Sequence, residues 1–351
     1  MGVVTTVLGE VDSSELGVVL PHEHLIANAT GQWMPPESEL ELEASLEAYG
    51  MHNRGAVQMA PFSFREALFQ LDAPVALEEL RSAARTGIGT LVELSIPGIG
   101  REPGVLKALS QLAGVHVVMG CGEYVEFAHS PYIAHANAET IRDVLLGDLL
   151  DGVGPQRIRA GIIGEIGTSN TPTAAELKVL SGAAMAQLVT GVALNIHRSI
   201  FPDPMGALVA IDHVLGLGVD PAKVVISHVD ERPEPEFALA AAERGVMVEL
   251  DTFGMEQWAT SARRGDDFPR RALDHDRLDM LKVLLDAGYL DQILISHDLC
   301  MKPQFSAYGG WGLAHLTVNI EPRLRSCGVS DEEITRMRTV NPRRVLERER
   351  A

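Results

Sequence analysis

Apolar and polar positions divide this chain into two kinds of segment. Eight short runs are nearly continuous in Val, Ile and Leu: residues 17–24 (GVVLPHEH), 89–95 (GTLVELS), 115–121 (VHVVMGC), 160–166 (AGIIGEI), 192–197 (VALNIH), 223–228 (KVVISH), 246–251 (VMVELD) and 292–298 (QILISHD). Runs this short with no polar face predict strands buried on both sides. Longer stretches of helical character separate most of them. Three of these, 176–190, 235–244 and 274–287, are each followed by a glycine, a stop signal because glycine accepts the left-handed conformation past a helix end. Ser330 with Glu333 predicts a capping box opening the C-terminal helix. Eight strands alternating with helices predict an α/β chain folded as a (β/α)8 TIM barrel, with a doubly wound open sheet as the alternative. No linker breaks the pattern, so one domain is expected over residues 1–351.

Three connections are longer than joining requires: 27–73, 253–273 and 299–316. The first carries Trp33, Pro35 and Pro36. The second carries Trp258, Arg263, Arg264 and Phe268, and the third Lys302, Tyr308 and Trp311. All leave the C-terminal ends of strands, where barrel active sites are built. They predict a lid over a substrate, with Trp311 in contact with it.

A length of 351 residues suits one large barrel. With 46% hydrophobic and 22% charged residues, a largely disordered chain and a coiled coil are excluded. The net charge of −19 argues against a broad nucleic-acid or anionic-membrane footprint. Three cysteines make no disulfide framework and fit a reducing compartment. The N-terminus lacks the basic and apolar regions of a signal peptide. Its first six residues formally match an N-myristoylation pattern but read as an ordinary strand. No apolar run reaches the roughly 20 residues of a membrane helix. The expectations are a cytoplasmic homodimer acting on a small molecule, with no nucleic-acid or membrane partner.

The chemistry gathers at strand ends. His22 and His24 are two apart, so an extended backbone points both to one face. HxH alone is a weak signal. Glu165, His197, His228 and Asp298 end four further apolar runs, where an unpaired polar group is costly to bury. Six such groups at one rim exceed the four ligands of a closed structural zinc site. They suit two divalent metals about 3.5–4 Å apart that share a carboxylate. Zinc is the expected metal, and Mn, Co and Fe also accept such N/O donors. His52, His129, His135 and His315 read as non-ligands. His297 should face the helix layer. Cys121 and Cys300 read as packing residues, and Arg101 as an ion-pair partner.

The motifs VTTVLGEV, LPHEHL, GIGRE, AGIIGEIGTS, NIH, ISHVD, ELDTFG, ISHDLC, YGGWG and NPRRVL span nearly the whole chain. Together they make it resemble the phosphotriesterase family of the amidohydrolase superfamily. Within that family it is most similar to the phosphotriesterase-related branch, not to the organophosphate-degrading enzymes. The resemblance implies that His22, His24 and Asp298 bind a buried metal and His197 and His228 a more exposed one. It also implies that Glu165 bridges them, where other branches use a carboxylated lysine. Thr252 stands where the lactonases have an arginine and the organophosphate enzymes a histidine, so that histidine's proton relay has no counterpart beyond Asp230 and Glu231. Tyr124 matches the lactonase tyrosine. The implied activity is hydrolysis of a carboxylic ester, a lactone or an N-acyl amide by a hydroxide shared between the metals. Asp298 would carry the proton, and Tyr124 and Thr252 would touch substrate. The alternatives are a phosphotriesterase acting on organophosphate triesters and, from another class, a non-enzymatic metal- or ligand-binding protein.

Overall fold

The computed structural model describes residues 2–200, 203, 205–257 and 271–349. Trp258, Arg263, Arg264 and Phe268 of the second long connection lie outside the described residues. The described strands are β1 (Val3–Thr6), β2 (Gly9–Asp12), β3 (Val18–Glu23), β4 (Ala27–Asn28), β5 (Phe69–Gln70) and β6 (Ile88–Glu93). They continue with β7 (His116–Cys121), β8 (Ile162–Thr168), β9 (Leu194–Arg198), β10 (Val224–Ile226), β11 (Met247–Leu250) and β12 (Ile293–Ile295). Eight of them form one sheet in the order β12-β11-β10-β9-β8-β7-β6-β3. Every neighbouring pair is parallel. Each apolar run in the sequence supplies one of these strands. The two outer members meet: Asp298 N donates to His22 O at 3.2 Å, and His22 N donates to Ser296 Oγ at 3.1 Å. The sheet therefore curls into the expected (β/α)8 barrel, closed at this seam partly by a side chain.

The helices follow their sequence signals. Ala174–Thr190 opens on a Thr173–Glu176 capping box and stops at Gly191, whose φ is +67°. Glu236–Glu243 packs on β11, and Asp274–Asp286 buries Met280, Leu281 and Leu284 in the same core. The Ser330–Glu333 capping box opens Asp331–Thr335. No described helix is long and apolar enough to cross a membrane.

Strand alternation sorts the barrel interior into layers. The lowest is apolar: Val19, Val92, Val118, Ile162, Ala193, Val225, Met247 and Leu294, plugged by Val4 and Leu16 from the N-terminal segment and Val345 and Leu346 from the C-terminus. Two residues further along three strands come Asn195, Ser227 and Glu249, all buried. One more step brings His197 and Asp251 to the rim. The aliphatic floor, at roughly 1.5–3 kcal/mol per fully buried large side chain, supports a polar layer that could not fold alone.

β1 and β2 pair antiparallel beneath this floor. Val3 and Arg348 exchange backbone hydrogen bonds, and Val7 N donates to Val117 O at 2.9 Å. The fit is tight where β1 passes the start of β8: a Cβ on Gly161 would lie 2.2 Å from Thr5 O. Gly161→Ala should therefore cost about 1–3 kcal/mol, the usual range for overpacking. The check is urea unfolding, with a lower midpoint, an unchanged slope and undisturbed metal content at the far end of the barrel.

Candidate metal centre and cavity

At the C-terminal rim the six predicted residues come together. His22 Nε2 lies 3.7 Å from Glu165 Oε2 and 3.8 Å from Asp298 Oδ1. His24 Nε2 lies 3.5 Å from Glu165 Oε1 and 3.2 Å from Asp298 Oδ1. His197 Nδ1 is 3.0 Å from Glu165 Oε2 and 2.8 Å from His228 Nε2. Two donor groups that could hold a cation follow, His22–His24–Asp298 and Glu165–His197–His228. Glu165 reaches all four imidazoles.

The outward nitrogens fix the inward ones. Asp251 faces the Nδ1 atoms of both His22 and His228 at 3.0 Å. His24 Nδ1 lies 3.0 Å from Ser95 Oγ, which itself donates to Glu93 Oε1 at 2.7 Å. With Nδ1–H spent on these acceptors, each Nε2 offers a lone pair to the cluster, the arrangement metal-ligating histidines show. His22 Nε2 is fully buried and has no hydrogen-bond partner among the described residues. Buried nitrogens are otherwise almost always satisfied, so the donor set fits a metal. A third grouping, His22–His228–Asp251, is the scaffold behind this one, because Asp251 is occupied by the ring and backbone N–H groups of His228.

The electrostatics agree. Burial opposes the charged forms of Glu165 and Asp298, yet the imidazoles around them hold both carboxyls below their ordinary range. Burial likewise disfavours a charged His22, but Asp251, Glu249 and Glu165 raise its pKa well above normal. A field that draws a proton to His22 draws a cation to the same place. Glu249, one layer down, is pushed by burial up to about 7.

Two of the six residues have unusual backbones. His228 (φ +59°) and Asp298 (φ +47°) are left-handed non-glycine residues, a conformation that costs of order 1–3 kcal/mol and collects at functional sites. Both are held in place. His228 N donates to Asp251 Oδ1 at 3.0 Å, and its carbonyl accepts from Arg198 Nε at 3.1 Å. Asp298 O accepts from Gln304 Nε2 at 2.8 Å.

Over the cluster lies a cavity of about 440 Å³. Trp33, Met34 and Phe62 from the segment between β4 and β5, and Cys300 and Met301 from the loop after β12, make much of its apolar wall. The two loops are joined by the Lys302–Glu66 ion pair at 2.8 Å. Tyr124 reaches the cavity, its Oη 3.3 Å from His197 Nε2 and accepting from Gln32 Nε2 at 3.1 Å.

Several placements differ from expectation. Thr252 does not line the cavity: one step past Asp251 its side chain alternates outward, fully buried, and accepts from Arg277 Nε at 2.9 Å. Trp311 stacks on His315 at 4.9 Å and borders a separate small hollow beside Tyr49 and Arg54. His315 is buried and lies 2.7 Å from Asp274. Cys300 lines the cavity, whereas Cys121 packs between barrel and helices. Asp230 accepts from the backbone N–H groups of Asp251 and Thr252, facing Arg277 and not the cavity. Glu231 does line the cavity but is paired with Arg271. His297 turns to Glu23 and Arg101 pairs with Asp148, as read.

Sequence reasoning missed Asp251, Glu249, Ser95 and Glu23. Glu23 accepts from Ser296 Oγ and from His297 N and Leu299 N, thereby clamping the turn that presents Asp298. The available signal was alternation: a carboxylate between two same-face histidines must point the other way.

The phosphotriesterase family model matches residues 2–346. N-acetyltaurine hydrolase of Danio rerio is 35% identical over 347 residues, covering 98% of each chain. The Mus musculus protein of the same name is 35% identical over 349 residues, again with 98% of each chain covered. Among solved structures, a resiniferatoxin-binding protein from Rhodobacter sphaeroides is 33% identical with a TM-score of 0.93, covering 98% of this chain and 95% of that one. The phosphotriesterase homology protein of Escherichia coli shares the fold at a TM-score of 0.76 and 23% identity, over 95% of this chain and 99% of its own.

Asp251→Asn removes the charge that the His22 and His228 imidazoles face. Metal affinity should fall about 10–100-fold, as for comparable changes behind other metal ligands. Competition with a chelator measures it; an unchanged affinity would reduce Asp251 to a backbone clamp.

Proposed function

The chain belongs to the phosphotriesterase family of hydrolases, and from that premise we propose that it cleaves the amide bond of a small N-acylated amine, with esters and lactones as chemically allied substrates. One observation carries the reading: four imidazole nitrogens and two carboxylates converge at the base of one small cavity. The identity of 35% to N-acetyltaurine hydrolases along almost the whole chain directs it towards amides.

We assign one divalent cation to His22, His24 and Asp298 and a second to His197 and His228, with Glu165 shared. Zinc suits these donors, and Mn, Co and Fe are compatible with them. Bound there, such ions supply Lewis acidity toward a carbonyl and acidify a water for attack. Asp298, in the cavity lining beside His24, takes the proton of the attacking water. It then hands that proton to the amide nitrogen, which leaves as the amine. Burial raises the Tyr124 pKa well above normal, so the phenol stays protonated and can donate a hydrogen bond to the substrate carbonyl oxygen. The volume of about 440 Å³ suits a small ligand.

Asp298→Asn keeps an oxygen for the metal but cannot accept the proton. Its kcat should fall roughly 10²–10⁴-fold, the usual worth of general acid–base catalysis, while most of the metal stays bound. The loss should be greater for amides than for nitrophenyl esters, whose leaving group needs no proton. Equal losses would leave Asp298 a ligand only.

A substrate panel tests the reading itself. N-acetyl amines, aryl esters, lactones and a dialkyl aryl phosphate are compared by kcat/KM on protein assayed for two metals per chain. Carbonyl substrates should lead. A triester preferred tenfold would favour a phosphotriesterase, and no hydrolysis of any of them would favour a binding protein.

A further inference from the structure

One hydrogen bond in the cavity wall has no part in the chemistry above: Gln32 Nε2 donates to Tyr124 Oη at 3.1 Å. Both side chains line the cavity, but they come from different connections, and each is anchored without the other. Tyr124 packs with Ile96, Ile99 and Val125 and is only 6% exposed. β8 runs close behind it: a Cβ on Gly167 would lie 2.9 Å from Tyr124 Cα, and Gly167 N donates to Glu123 O at 3.0 Å. Gln32 ends the helical turn Thr30–Gln32 between β4 and β5. Backbone bonds pin that turn on both sides, Ala29 N donating to Leu68 O and Met34 N to Phe62 O, each at 2.8 Å. Trp33 Nε1 adds a bond to Ser63 O at 3.1 Å. Holding the loop is therefore not what the Gln32 amide is needed for.

Its bond decides where the phenol hydrogen points. A neutral imidazole carries one N–H and one lone pair. His197 turns Nδ1 into the donor set, 3.0 Å from Glu165 Oε2 and 2.8 Å from His228 Nε2. Its ring hydrogen then belongs on Nε2, which faces Tyr124 Oη at 3.3 Å. A phenol oxygen has one hydrogen to give and lone pairs that receive. Gln32 and His197 both donate to those lone pairs, so the O–H is left to donate into the cavity.

We infer that Gln32 is a positioning residue: together with His197 it turns the Tyr124 O–H toward the carbonyl oxygen of the substrate. A donor already aimed there has no reorganisation to undergo as charge develops on that oxygen. This role rests on the carbonyl-hydrolase reading above and holds for amides and esters alike.

Gln32→Glu separates aiming the phenol from tying two loops together. An ionised carboxylate only accepts, so it still bridges the loops but takes the phenol hydrogen for itself. On N-acetyl amines or aryl esters kcat should fall nearly as far as in Tyr124→Phe, roughly 10²–10³-fold, the worth of one donor to a developing oxyanion. KM should change little. Gln32→Met merely frees the O–H to rotate and should lose roughly 2–12-fold, the value of one neutral hydrogen bond. The losses should not multiply: each double variant should match Tyr124→Phe alone. All variants are compared as full-length protein assayed for two metals per chain. Wild-type kcat in Gln32→Glu or in Tyr124→Phe, or losses that multiply in the double variants, would make the bond a loop tie and overturn the inference. Cleavage of esters but no amides would defeat the amide reading and leave the same comparison to be made on the ester. If no carbonyl substrate turns over, calorimetric titration of ethyl methylphosphonate, whose phosphonyl oxygen can accept from the same phenol, carries the test. Gln32→Met should then weaken binding by the same factor in the wild-type background and not in Tyr124→Phe, and equal weakening in both would overturn the inference.

Discussion

The site depends on one carboxylate shared by two rings. Asp251 accepts the Nδ1–H and the backbone N–H of His228 and sets its other oxygen 3.0 Å from His22 Nδ1, which hydrogen-bonds Glu249 at 3.1 Å. Asp251 sets the tautomer of His228, Glu249 that of His22, and together they turn both Nε2 atoms toward Glu165. Burial alone would favour the neutral form of Asp251, but the two imidazoles keep it ionised. Asp230 grips the backbone on either side of the Asp251 Cα, and Arg277 balances Asp230 at 3.4 Å. The chain of support thus runs from the helix Asp274–Asp286 through Arg277 and Asp230 to Asp251, and from there to His22 and His228.

Such a cluster is expensive to build. Several carboxylates and imidazoles sit out of water, and His228 and Asp298 add left-handed backbones. The compensation is distributed. The aliphatic floor from Val19 to Leu294 supplies burial, and the Asn195–Ser227–Glu249 layer supplies hydrogen bonds at 2.9–3.0 Å. Glu23 and Gln304 lock the turn after β12. A preorganised site of this kind holds its donors before substrate arrives, which is how electrostatic stabilisation avoids a reorganisation cost during reaction.

The cavity wall comes from different parts of the chain than the six rim residues do. The six rim residues sit at strand ends and inherit the rigidity of the sheet. Trp33, Phe62, Met255 and Met301 come from loops, which can vary without disturbing the barrel, and substrate choice in this fold is built there.

The sequence by itself determined the barrel, its eight strands and the six rim residues, because each is a local signal. A buried strand is an apolar run, and a polar residue at its end stands out against it. It also yielded the alternation that puts His22 and His24 on one face. Tertiary structure alone decided the rest. Asp251 lies 229 positions from His22 in the chain, and nothing in VMVELD says which imidazoles its oxygens will meet until the barrel closes and leaves only β12 between β3 and β11. Thr252 and Trp311 were misplaced for the same reason. Proximity along the chain put them near the rim, but strand alternation turned one outward onto Arg277 and ring stacking drew the other to His315. Periodicity is written into neighbouring residues, whereas the partner of a buried charge is chosen by closure of the sheet.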